Sequence, residues 1–140
     1  MINIKNVDLT YFMLFFLCGL SVLFYENLKI IKYKINKKIL FLEGDIYRNK
    51  YITIDKWYFT HLFFYSIIGY LYPMSFYLSM INGVMWELFE FYLGYYKPLW
   101  FFQTANTQLN TSKWWHGRIS DLFVNCIGFT IGYSIHALRY

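Results

Sequence analysis

The sequence predicts an all-α fold, a polytopic integral membrane helical bundle of about four transmembrane helices in one domain, residues 1–140. Three observations carry that expectation. Hydrophobic residues make up 58% of the chain and aromatics 25%, with only 15% charged, far from the balance of an ordinary soluble domain. The charges are clustered, leaving long stretches nearly free of them. Lys and Arg gather directly after the first apolar run, as they do on a cytoplasmic membrane flank. The net charge of +5 does not point to nucleic acid, because these basic residues are not interleaved with a polar binding surface.

The first predicted span is 9–25, LTYFMLFFLCGLSVLFY, and no small-residue cleavage site follows it, so it reads as a span rather than a removed signal peptide. Cys18 and Cys126 fall inside apolar runs and read as small hydrophobes, not as a disulfide framework or a metal site. Segment 26–56 opens with Lys29, Lys32, Lys34, Lys37 and Lys38; with its Glu-Gly-Asp turn signal and β-branched patches, it suggests a cytoplasmic amphipathic helix plus a short turn. A second span over 57–72 ends at Tyr72-Pro73, since proline breaks a helix and disfavours helical geometry before it. The third span covers 74–96 and stops at Lys97-Pro98; a polar loop leads to the fourth span, 119–138. Positive charge places segment 26–56 and loop 97–118 on the cytoplasmic side. The expected location is a multi-pass membrane protein, in an endoplasmic-reticulum-type membrane if the source is eukaryotic or a virus of eukaryotes. Trp57, Trp100, Trp114 and Trp115 lie near span ends, like an interfacial belt.

Glu87 and Glu90 interrupt the third apolar run. A carboxylate at membrane depth costs roughly 2.5–3.5 kcal/mol on insertion scales, and two on one helix face repel. Helical spacing gives them neighbours. Gly83, Glu87, Glu90 and Gly94 share a face of the third helix; Asp121, Asn125, Gly128 and Gly132 share one on the fourth; His61, Tyr65 and Gly69 share one on the second. Small residues on such stripes let backbones approach, and polar ones bond across the interface. His61, Glu87, Glu90 and Asp121 therefore converge at one level, with Asn125 nearby as an oxygen donor. Three carboxylates and a histidine suit a hard cation such as Ca²⁺, Mg²⁺ or Mn²⁺. The alternative is an inter-helix network built on a protonated Glu or a Glu–Arg118 ion pair.

Thr60-His61, VMWELFEFYLGYYKP (84–98) and WWHGRISDLFVNCIGFTIGY (114–133) together resemble the core of eukaryotic base-exchange phosphatidylserine synthases. The matching features are a helix-borne histidine, a Phe-rich Glu-x-x-Glu helix, a Trp-Trp pair, a following Asp, and Asn-x-x-Gly. The resemblance spans residues 57–133. It implies calcium-dependent exchange of a phospholipid head group for L-serine. His61 would be the catalytic acid/base. Glu87, Glu90 and Asp121 would act in catalysis, holding Ca²⁺ and the incoming amine, and Trp114, Trp115, Arg118 and Asn125 would contact substrate. The implied partners are a membrane phospholipid and L-serine, with a second copy of the chain left open and no nucleic acid. The chain departs from that family in its shorter length, in the four-residue Asp121–Asn125 spacing, and in His116, which replaces an acidic residue. A rival resemblance is to VanZ-like membrane proteins, carried by Asp55-Lys56-x-x-x-x-His61, Gly117-Arg118, Asp121, Asn125 and Gly128, and it implies a non-catalytic multi-pass protein.

Overall fold

The computed structural model describes residues 9–36, 45–48, 53–96 and 118–139. Four helices, α1 (Leu9–Asn36), α2 (Trp57–Leu71), α3 (Phe76–Tyr96) and α4 (Ile119–Arg139), are joined by a small hairpin of β1 (Asp45–Arg48) and β2 (Thr53–Asp55) between α1 and α2.

α1 does not end at Tyr25, where its apolar run gives way to charge. It continues through ENLKIIKYKIN to Asn36, because Leu, Lys and Glu are good helix formers and a charge solvates a helix without breaking it. The predicted amphipathic helix is thus the tail of α1, and the β-branched patches fold as the hairpin. Its register pairs Asp45 with Asp55, Tyr47 with Ile54 and Arg48 with Thr53, with an irregularity between Asp45 and Tyr47. The hairpin delivers the chain straight into α2, where the Asp55 Oδ1 accepts the Trp57 N–H at 3.0 Å. At the far end of α2, Pro73 forces a single 3₁₀ turn, Pro73–Ser75, before α3 begins.

The expectation of a polytopic membrane bundle is overturned. Among the described residues, no helix is long and apolar enough to cross a membrane. α2 has 15 residues, roughly 22 Å at ~1.5 Å per residue, against a hydrocarbon core of ~30 Å. The apolar part of α1 reaches only roughly 26 Å before Glu26. α3 and α4 are 21 residues each, but Asn82, Glu87 and Glu90 in one, and Asp121, Asn125, Ser134 and His136 in the other, cut their apolar runs short. High aromatic content misled the reading, because Tyr and Trp raise apparent apolarity while keeping a polar end. The hairpin also departs from a purely helical fold.

The tightest packing is between α2 and α4, and glycine makes it possible. A Cβ on Gly69 would lie 2.2 Å from the Phe129 carbonyl oxygen, and one on Gly132 would lie 1.9 Å from that of Ser66. Backbone therefore meets backbone along this seam. Beside it Tyr11, Tyr65, Ile68 and Phe129 form the buried core, flanked by Phe15, Phe64 and Phe76. α1 is tied to α3 by polar contacts: the Tyr11 and Ser79 hydroxyls lie 3.0 Å apart, and the Asn82 amide donates to the Tyr11 oxygen at 3.2 Å. The outward faces stay apolar, with Phe16, Phe63, Tyr77 and Leu138 largely exposed.

Candidate functional site

The α2–α4 seam opens, at its hairpin end, onto a small polar cluster. His61 lies in the second turn of α2, Asp121 in the first turn of α4, and Glu87 midway along α3. Each offers one ligand atom, and the three atoms lie within 4.8 Å of one another. Glu87 and Asp121 are each 7% exposed. Asn125, one turn after Asp121 on the same face of α4, is fully enclosed, and its Oδ1 lies 2.9 Å from His61 Nδ1.

The cluster is braced by the start of α4. Glu87 Oε2 accepts the backbone N–H of Arg118 at 2.7 Å, so the carboxylate sits at a helix N-terminus, where unpaired amides and the helix dipole favour negative charge. The Arg118 side chain turns the other way and donates to Asp55 Oδ2 at 2.7 Å in an ion pair. Tyr58 donates to Ser120 at 2.7 Å, a second strut from α2 to α4.

Burial pushes the Glu87 carboxyl up to about 7; the Arg118 amide and guanidinium partly oppose the rise, and the nearby Asp121 charge adds to it. Asp121 is also raised by burial, against the lowering influence of His61 and Arg118. Two details suit a cation. Glu87 Oε1 is buried with no hydrogen-bond partner, and such an atom is costly to leave unpaired. Two carboxylate oxygens and an imidazole nitrogen at this spacing can surround one ion.

A cavity of about 760 Å³ is lined by residues of α1, α2 and α3, with His61 in its wall. Its walls are mostly aromatic and aliphatic, including Phe15, Trp57, Phe64 and Phe89, and its polar lining includes Ser21, Thr60, His61, Tyr65, Asn82 and Glu90.

The structure brings together His61, Glu87, Asp121, Asn125 and Arg118, all of them candidates from the sequence. It does not bring Glu90 into the cluster as a metal ligand. Three residues along a helix is a turn of about 60° from Glu87, enough to send Glu90 toward the cavity, where its Oε1 accepts the Trp86 indole N–H at 2.7 Å. Nor does Arg118 form the side-chain ion pair with a glutamate; that partner is Asp55. Trp114 and Trp115 lie outside the described residues. Asp55 was missed as a bracing residue, although an acidic side chain two residues before a helix is a recognisable start signal. Asn125, which the resemblance makes a substrate contact, has its Oδ1 against His61 Nδ1.

No protein-family model, curated protein or solved structure matches the chain.

Proposed function

We propose that the chain is a cation-assisted phospholipid head-group exchange enzyme, in which serine replaces the amino alcohol of an existing phospholipid. The observation that carries this reading is the meeting, at His61, of a buried two-carboxylate cluster with a large apolar cavity. One side can handle a charged phosphodiester and the other its hydrocarbon, which is the division an amphiphilic substrate needs. The exposed apolar outer faces also fit work against a lipid surface.

Glu87 and Asp121 would hold a hard divalent cation such as Ca²⁺, which when bound neutralises charge on the phosphate oxygens. His61 takes the proton of the serine hydroxyl as the serine oxygen bonds to phosphorus. The phosphorus–oxygen bond to the departing amino alcohol breaks, and His61 returns the proton to that oxygen. Glu90, at the cavity edge, faces the cationic amine of the incoming or leaving alcohol. A second reading is favoured by the presence of the imidazole among the three converging ligand atoms: His61 as a third ligand to a borderline cation such as Zn²⁺, with no proton transfer by the histidine.

The test is the purified full chain in phosphatidylethanolamine or phosphatidylcholine vesicles with labelled serine and Ca²⁺. Label entering lipid, lost in His61→Ala with cation binding kept, supports exchange. No label entering lipid with folded protein refutes it. Loss of cation binding in His61→Ala moves the assignment to the second reading.

A further inference from the structure

We infer that Asn125 is a positioning residue that holds His61 in one tautomer, with the proton on Nδ1 and the lone pair on Nε2. A neutral imidazole has one N–H, and the atom facing its Nδ1 at 2.9 Å is the side-chain oxygen of Asn125, which can only accept. The other ring nitrogen, Nε2, is then the one left with a lone pair to accept a proton or a cation.

The seam makes this contact rigid. Gly128, one turn from Asn125, packs on the Leu62 carbonyl, where a Cβ would lie 2.6 Å from the oxygen. α2 and α4 therefore cannot slide apart without breaking backbone contact, and the Asn125–His61 distance is set by backbone. The amide has its own gap on α3: a Cβ on Gly83 would lie 3.0 Å from Asn125 Nδ2 and 2.7 Å from the Tyr65 hydroxyl. The Tyr65 hydroxyl donates to the Ser79 carbonyl at 3.4 Å. The Asn125 amide nitrogen is buried with no hydrogen-bond partner among the described residues, so the orientation of the amide rests on its oxygen facing His61 Nδ1. Asparagine also suits the position better than an acid, because a carboxylate there would put a third negative charge beside Glu87 and Asp121.

The inference rests on the reading of His61 as the proton-carrying group, but its readout needs no substrate. Nitrogen-15 NMR of the full chain without added metal, at a pH where the imidazole is neutral, assigns the His61 signals by their loss in His61→Gln. The expected wild-type result is a protonated Nδ1 and an unprotonated Nε2. Asn125→Asp, which keeps the acceptor, retains that state. Asn125→Leu, which removes it, shifts the proton toward Nε2, as in free histidine, and slows serine exchange about 10- to 100-fold. A wild-type proton on Nε2 overturns the inference, as does an unchanged tautomer in Asn125→Leu. Should Asn125→Leu fail to fold, the wild type and Asn125→Asp decide: Nδ1–H in both supports the inference, and Nε2–H in either overturns it. Should the tautomer hold while no serine is exchanged, the enzyme reading fails and this one stands.

Discussion

The two sides of His61 are built on opposite plans. Toward α4, glycines at 69, 128 and 132 bring backbones into contact, and the polar cluster is held at distances set by the main chain. Toward α1, large aromatic side chains prop the helices apart and leave a cavity of about 760 Å³. The same contrast is visible in single glycines. A Cβ on Gly132 would strike the Ser66 carbonyl at 1.9 Å, whereas one on Gly19 would meet only the Trp86 ring at 3.1 Å. Backbone cannot give way and a ring can. The lesson is that the chain fixes geometry where charges must be placed and leaves room where hydrocarbon is to be received.

The largest effect is expected from Gly132→Ala, which has to push α4 off α2. A loss of about 3 kcal/mol or more in denaturant unfolding is expected, since overpacking a rigid contact costs in that range. A near-neutral result would mean the seam is looser than its contacts indicate.

The next largest is a pH effect on the seam side. Glu87 is raised from an ordinary 4.5 to about 7 by burial, so between those values the folded state binds more protons than the unfolded one. The stability associated with protonated Glu87 is fully present below pH 4.5 and is lost as pH rises through 7, by about 3 kcal/mol. Asp121, raised in the same direction, adds to the slope. Metal-free protein should therefore melt lower at pH 8 than at pH 5, and Glu87→Gln should flatten most of that difference. A divalent cation should restore stability chiefly at the higher pH, because it competes with the proton.

A smaller loss is expected for Asp55→Asn. It keeps an acceptor for the Trp57 N–H but removes the ion pair to Arg118, whose side chain is 37% exposed. Solvent screening limits the cost to about 0.5–1 kcal/mol in thermal unfolding. A loss several times larger would show that the hairpin, not the seam, holds α4 in place. The smallest effect belongs to Gly19→Ala. Its helix-propensity gain of roughly 1 kcal/mol offsets the shift demanded of Trp86, leaving stability within about 0.5 kcal/mol of wild type.

The helices and the site differ in how far the sequence revealed them. Periodicity put His61, Glu87, Asp121 and Asn125 on facing stripes, because 3.6-residue spacing survives whatever surrounds a helix. It also marked Gly69, Gly128 and Gly132 as residues of close approach. Glu90 falls outside the His61–Glu87–Asp121 cluster because i and i+3 share a face only loosely, and its Oε1 instead meets Trp86 one turn before it. The continuation of α1 past Tyr25 was hidden because charge was read as a boundary. The expected spans follow apolar runs that are either short, as in 57–72, or interrupted by polar residues such as Glu87, Glu90, Asp121 and Asn125, and neither kind is long and apolar enough to cross a membrane. The helix-start role of Asp55 is a local signal, but its ion pair with Arg118, 63 residues away, is beyond the reach of any local pattern.

Cation binding by the full chain tests the site most directly, with Mn²⁺ titrated by electron paramagnetic resonance against wild type, Glu87→Gln, Asp121→Asn and Glu90→Gln. One tight site per chain is expected in wild type and in Glu90→Gln, with loss of at least tenfold in affinity in Glu87→Gln and Asp121→Asn. Equal affinity in wild type and Asp121→Asn, or no bound Mn²⁺ in folded wild-type protein, would remove the cation from the cluster and the proposed chemistry with it.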